Sequence, residues 1–184
     1  MKQSQFFLQY FKTIGKKIQS IDPSKLVLAI KLVRKTNQAG KKIIIVGNGG
    51  SAAMASHVAV DFTKAAGIRA INFNEAGLLT CFANDFGYEN WVSKALEFYA
   101  EPGDLGILIS SSGKSPNMLN GAKQAKAMNL SLITLSGFSA RNPLRQLGDI
   151  NLWVDSTVYN IVEMTHHIWL LAIIDYLIKT EEAS

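Results

Sequence analysis

The sequence predicts an α/β domain built on one parallel sheet with helices on both faces. Three observations predict it. Short β-branched or aliphatic runs recur after residue 42. Stretches with apolar residues at helical spacing separate those runs. Two Gly- or Ser-rich turns sit where a run ends and a helix begins. Strands that alternate with helices are joined by right-handed βαβ crossovers, and strands buried on both faces read as continuous apolar runs.

The elements follow in order. Residues 3–19 place Phe6, Phe7, Tyr10, Phe11, Ile14 and Ile18 at helical spacing, with lysines on the other side. A second helix starts at Asp22-Pro23-Ser24, where Asp22 suits the N-cap and Pro23 the first helical position, and it stops at Ala39-Gly40. No strand separates these two helices, so they form a hairpin expected to pack on the sheet or on a partner subunit. The run Ile43-Ile44-Ile45-Val46, closed by Gly47, is the first strand. Four more strands are expected at 69–73, 105–110, 131–136 and 150–154. Helices are expected at 51–66, 75–83, 88–99, 115–128 and 158–179. The chain shows neither repeats nor low-complexity segments, so residues 1–184 read as a single domain.

Composition narrows the classes further. The apolar runs are too short to cross a bilayer, and residues 1–17 lack the pattern of a secretory signal. The one cysteine, Cys81, permits no internal disulfide and fits a reducing compartment, so the expected location is the cytoplasm. In its apolar stretch Cys81 reads as a buried small hydrophobe. Residues 1–42 carry ten Lys/Arg against one acid, a local charge of +9, and the remainder carries −4. A basic arm can meet an acidic partner. The plainer reading makes Lys12, Lys16, Lys17, Lys31 and Lys35 the wet face of two helices. No DNA- or RNA-binding motif accompanies the charge.

Two turns carry the chemistry. Gly47-Asn48-Gly49-Gly50-Ser51 follows the first strand and opens a helix. Glycines allow a tight turn and close approach to a ligand, and the helix start offers free N–H groups to an anion. The turn is neither a P-loop nor GxGxxG, so no nucleotide cofactor is implied. Ser110-Ser111-Ser112-Gly113-Lys114-Ser115 ends the third strand and opens another helix. Its four hydroxyls and the free N–H groups suit a phosphate.

Three segments carry a resemblance: GNGGSAAMASHVAVDFT (47–63), TCFANDFGYEN (80–90) and LISSSGKSPN (108–117). Together they resemble the sugar isomerase (SIS) domain family, nearest to its phosphoheptose isomerase branch. The resemblance implies a flavodoxin-like five-stranded sheet, a homotetramer, and active sites shared between subunits. It implies that Ser110, Ser111, Ser112 and Ser115 hold a phosphate. Asn48, Gly49, Gly50 and Ser51 would then line a sugar, with Asp85 nearby. The implied activity is aldose–ketose isomerisation of a phosphosugar, sedoheptulose 7-phosphate to a heptose 7-phosphate, serving lipopolysaccharide or other surface-polysaccharide synthesis.

That chemistry needs a base at carbon and an acid or metal at oxygen. His57 matches a family histidine, and Asp61 stands where the family carries a catalytic glutamate. Val162 and Leu170 stand where the family has glutamine and histidine, and neither can transfer a proton. His166 lies four residues from both, on their face of the helix, so His166, before His167, is the expected replacement. A trio of His57, Asp61 and His166 would suit zinc with an open position. Asp61 and His166 are thus the expected catalytic pair. The alternative reading is a non-catalytic phosphosugar-binding or regulatory protein, resembling the replication-initiator-associating relative in the same family. The apolar Val162 and Leu170 favour that alternative.

Overall fold

The computed structural model describes residues 2–181. Helix α1 (Gln3–Ile18) and α2 (Pro23–Gln38) precede β1 (Ile43–Gly47), α3 (Gly50–Lys64), β2 (Ala70–Asn72), α4 (Ala76–Phe86), α5 (Trp91–Tyr99) and β3 (Leu105–Ser110). Then come α6 (Pro116–Ala127), β4 (Ser131–Ser136), a 3₁₀ turn (Leu144–Gln146), β5 (Ile150–Trp153) and α7 (Tyr159–Glu181).

The local signals act as expected. Asp22 caps α2 by accepting the Ser24 N–H at 2.9 Å, and that bond holds its carboxyl below the usual range. Glu75 caps α4 by accepting from Gly77 and Leu78, with the same effect. The second strand is shorter than its sequence suggests: only Ala70–Asn72 pair, at the edge of the sheet with β1 as the single neighbour.

All five strands are parallel, in the order β2-β1-β3-β4-β5. This is the flavodoxin-like arrangement. Alternate residues of β1 feed two separate cores. Ile43 and Ile45 face α2, α3 and α7, where Val33, Met54, Phe62, Trp169 and Leu177 pack. Ile44 and Val46 face α5 and α6, where Trp91, Leu96, Met118 and Ala122 pack. Each face therefore buries a full layer of aliphatic side chains, the dominant favourable contribution to folding.

The N-terminal hairpin divides its work. Helix α2 buries Ala29, Ile30 and Val33. Helix α1 buries none of its residues, rests on α7, and leaves Phe6, Phe7, Leu8 and Phe11 exposed. Its C-terminal end is fixed by the Trp169 indole, which donates to the Ile18 carbonyl at 2.8 Å.

Two expectations are corrected at this level. Cys81 is exposed rather than buried, and its thiol lies 3.7 Å from an Asp85 carboxylate oxygen. Residual desolvation, then the charge and hydrogen bond of Asp85, raise its pKa. Helix α7 is also long and apolar enough over Tyr159–Thr180 to cross a membrane by length and composition. Half of that stretch is buried inside the fold, with Ile161, Val162, Trp169, Leu170, Ile173, Ile174 and Leu177 in the core, so α7 is a core helix.

Candidate functional site

The chain leaves β1 toward the β2 edge and leaves β3 in the opposite direction. Their carboxyl ends therefore frame a crevice, the usual ligand position in an open α/β sheet. Gly47 pairs in register with Ile109, so Asn48 and Ser110 emerge side by side. Both predicted turns thus open into one pocket.

That pocket encloses about 100 Å³ and is lined by Asn48, Ser51, Ile109, Ser110, Ser111, Ser112, Ser115, Tyr159 and Glu163. Ser51, Ser110 and Ser111 are buried. Ser115 occupies the N-cap of α6, yet its hydroxyl does not cap the helix. It turns instead to the Ser110 hydroxyl, 3.0 Å away. An N-cap serine normally spends its oxygen on the helix, so this one is freed for a ligand. The first-turn amides of α6 and its positive dipole end point the same way.

The backbone of the cradle is braced from below. The Gly137 N–H donates to the Ser111 carbonyl at 2.8 Å, and the Leu144 N–H to the Gly113 carbonyl at 3.1 Å. Gly113 has φ +66°, and a Cβ there would collide with the Asn142 side chain. That amide donates to Ser136 Oγ at 3.0 Å and accepts the Arg145 N–H at 2.9 Å. Gly113 is therefore required both by its left-handed conformation and by the close Asn142.

The turn after β1 holds Asn48 rigidly. Asn48 and Asn117 exchange amide hydrogen bonds at 3.0 and 2.8 Å, and the Tyr88 hydroxyl donates to Asn48 Oδ1 at 3.2 Å. Gly49 takes φ +54° at the start of α3. Gly50 lacks the Cβ that would strike the Glu163 carboxylate, so Glu163 can lie against the start of α3. There its Oε1 accepts from Ser111 Oγ at 3.4 Å.

Sequence reasoning missed Glu163, Asn117, Tyr88 and Tyr159 as site residues. Asn117 and Tyr88 sit inside the segments that carry the resemblance, where no single-residue signal separates them from their neighbours. Glu163 enters from the far end of the chain, and only the docking of α7 brings it in.

The expected catalytic residues divide differently. Asp85 lies outside this pocket, in a separate hollow of about 420 Å³ with Phe82, Phe86, Phe98 and Tyr99. His57 and Asp61 sit about 9 Å and more along α3 from Ser51, outside the pocket lining. His57 Nε2 lies 3.1 Å from Asp61 Oδ2, across one helical turn.

His166 is corrected. It does not join them: it is fully buried, and its Nε2 lies 3.0 Å from the Ser136 carbonyl oxygen. A carbonyl only accepts, so Nε2 carries the hydrogen, and Nδ1 is left without a partner among the described residues. Burial pushes the His166 pKa down to about 4, against the opposing effect of the Ser136 bond, so the ring stays neutral. His167, the second choice of the sequence, is the histidine of α7 that lies against His57. Its Nε2 lies 2.9 Å from His57 Nδ1, with the two rings edge to face. Desolvation, then the neighbouring His57, lower the His167 pKa. The Asp61 carboxylate only accepts, so with both rings neutral His57 donates to it from Nε2–H and accepts at Nδ1 from His167 Nε2–H.

This arrangement does not fit the zinc trio. A tetrahedral centre needs its donors to converge on one point about 2.0–2.2 Å from each. Here His166 is held in the core, and His57 stands between its two partners with one nitrogen facing each. No group of three His, Cys, Asp or Glu among the described residues is placed to hold a metal. Val162 and Leu170 are both buried in the core.

The sheet order, the paired turns at the switch point and the serine cradle define a class. Residues 6–137 match the SIS domain model, and the chain belongs to the SIS domain family. Within it, the chain is 36% identical over 156 residues to the phosphoheptose isomerase of Aliarcobacter butzleri, 82% of each chain. It is 42% identical over 103 residues to that of Fusobacterium nucleatum, a match that spans only about half of each protein (53%). The fold superposes on the phosphoheptose isomerase of Neisseria gonorrhoeae with a TM-score of 0.88 at 24% identity, covering 96% of this chain and 99% of that one.

Proposed function

We propose that this protein is a phosphosugar aldose–ketose isomerase acting on a seven-carbon sugar, sedoheptulose 7-phosphate to a heptose 7-phosphate. It would work in the cytoplasm, in the supply of surface-polysaccharide or lipopolysaccharide sugars. The observation that carries the reading is the cradle of four serines at the β3–α6 turn, with a carboxylate and a fixed amide beside it.

The enclosed volume of about 100 Å³ suits a phosphoryl group rather than a whole sugar phosphate. The phosphate sits against Ser110, Ser111, Ser112 and Ser115 and the first amides of α6. The sugar then runs outward past Ser51 and Glu163, with its reacting end beside Asn48 at the mouth. A neighbouring protomer of a homotetramer completes the site there, bringing Asp61, His57 and His167. Isomerisation removes a proton from one carbon and returns it to the next through an enediol. Asp61 is the base, His57 orients it, and His167 relays a proton, in place of the groups that Val162 and Leu170 cannot supply. Glu163, inside the same pocket as the cradle, accepts hydrogen bonds from sugar hydroxyls.

The test is to incubate the protein with sedoheptulose 7-phosphate in D₂O and follow product and solvent deuterium at the reacting carbon by NMR. Turnover with deuterium incorporation is expected. His167→Ala should lower kcat about a hundredfold, the scale of general acid–base catalysis, whereas His166→Leu should leave the deuterium pattern unchanged. A second reading, a phosphosugar-binding regulator without catalysis, is favoured by the buried, apolar Val162 and Leu170. Tight binding of the sugar phosphate with no exchange would select it. A protein that neither binds nor turns over sugar phosphates would defeat both.

A further inference from the structure

The hydrogen bonds around Asn48 form a directed network whose polarity is set by one backbone amide. The Met118 N–H can only donate, and it reaches Asn117 Oδ1 at 3.1 Å. That fixes which end of the Asn117 amide is oxygen. The same oxygen accepts from Asn48 Nδ2 at 3.0 Å, and Asn117 Nδ2 donates to Asn48 Oδ1 at 2.8 Å. Turning Asn48 over would set two NH₂ groups face to face, so its orientation is fixed as well. Asn117 is 1% exposed and held by these bonds within the fold.

An amide oxygen has two lone pairs, and an NH₂ group has two hydrogens. Asn48 Oδ1 receives Asn117 Nδ2–H and the Tyr88 hydroxyl, the latter at 3.2 Å. Its accepting capacity is therefore filled. Asn48 Nδ2 spends one hydrogen on Asn117 and keeps the other. Since Asn48 lines the serine pocket, the group it offers a ligand there is a hydrogen-bond donor only.

We infer that Asn117 and Tyr88 are positioning residues that make Asn48 a dedicated donor for a sugar oxygen. On the isomerase reading above, on which this rests, that oxygen is the carbonyl of the open-chain sugar, which becomes the enediolate oxygen as the proton leaves carbon. A fixed donor aimed at a site of developing negative charge costs no reorganisation during reaction. An asparagine free to rotate would present its oxygen half the time and repel that charge. Tyr88 lies between α4 and α5, so it also ties the 87–90 turn to the site.

Two variants and one spectrum test this. Asn117→Asp keeps the shape and the acceptor for Met118, but it cannot donate to Asn48 Oδ1. Tyr88→Phe removes the second donor at an exposed position. For Asn117→Asp, kcat is expected to fall about tenfold or more, the equivalent of one charge-assisted hydrogen bond. Tyr88→Phe should lower kcat by about threefold to tenfold on the same basis. In both, KM should change little, because the serine cradle is intact. In the unaltered protein, one Asn48 side-chain amide proton should shift on addition of sedoheptulose 7-phosphate, and neither should shift with inorganic phosphate alone. The inference is overturned if both variants keep wild-type kcat, if kcat and KM worsen together in step with lost thermal stability, or if the amide protons ignore the sugar phosphate. Failure of the unaltered protein to turn over would sink the isomerase reading alone, since the amide shift still decides the role of Asn48.

Discussion

At the scale of single residues, the site depends on what each side chain is prevented from doing. Ser115 stands at an N-cap without capping. Glu163 reaches the start of α3 only because Gly50 has no Cβ. Gly50→Ala should therefore leave the fold largely intact, since Glu163 is a flexible side chain that can swing away. It should remove the carboxylate from the pocket and raise KM for the sugar phosphate several-fold, measured beside thermal melting. Unchanged kinetics in a folded Gly50→Ala protein would show that Glu163 does not touch the sugar. The cradle has its own test. Ser112→Ala with Ser115→Ala removes two hydroxyls that would bond a dianion, each worth about 1.5–3 kcal/mol. Calorimetric titration should show a loss of at least about a hundredfold in affinity for sugar phosphate. That these four hydroxyls line one pocket was legible in the sequence, because all four sit within six residues and need no distant partner.

At the scale of elements, α7 carries the largest departure from expectation. Its Val162, Thr165, His166, Trp169 and Leu170 are buried against the fold, while Glu163 and His167 are only partly covered. His166 is neutral in the folded state with a pKa near 4, against 6.5 when exposed. The unfolded chain binds this proton first as pH falls. That stability is fully present above pH 6.5 and is lost progressively as pH falls to 4, where the loss reaches about 3 kcal/mol, taking 1.36 kcal/mol per pK unit. Urea unfolding at pH 7 and pH 4.5 should show this loss. His166→Leu, which fills similar space without a titrating group, should flatten it. An equal loss in the variant would assign the acid sensitivity to other groups. The ends of α2 and α4 were legible from Asp22 and Glu75, since a cap acts within three residues of itself. The rotation of α7 was not, because its apolar residues run nearly all the way round the helix.

At the scale of the whole molecule, the unfinished surface is α1. Phe7 and Phe11 are 55% and 64% exposed on a helix that buries nothing within its own chain. The proposed tetramer would cover them, and the same assembly would bring Asp61, His57 and His167 of one protomer to the cradle of another. Phe7→Ser with Phe11→Ser should then lower the mass seen by analytical ultracentrifugation. Turnover should fall with it, while phosphate binding to the cradle persists. A double variant of unchanged mass would place those rings outside the subunit contact. The basic character of residues 1–42 belongs here too, as Lys12 and Lys16 lie exposed on α1. Lys17 pairs loosely with Asp155 at 3.6 Å.

Order of elements, positions of the Gly- and Ser-rich turns that open into the pocket and membership of a parallel α/β class were determined by the sequence alone, because each rests on residues adjacent in the chain or spaced by a helical or strand period. Only the tertiary structure decided that His167 faces His57 while His166 is sealed in the core, and that Glu163 enters the pocket. Neighbouring positions on a helix point about 100° apart. Which of two adjacent histidines reaches a partner is therefore settled by how the whole helix turns as it packs, and that rotation is set by Trp169, Leu170 and the sheet beneath them rather than by either histidine.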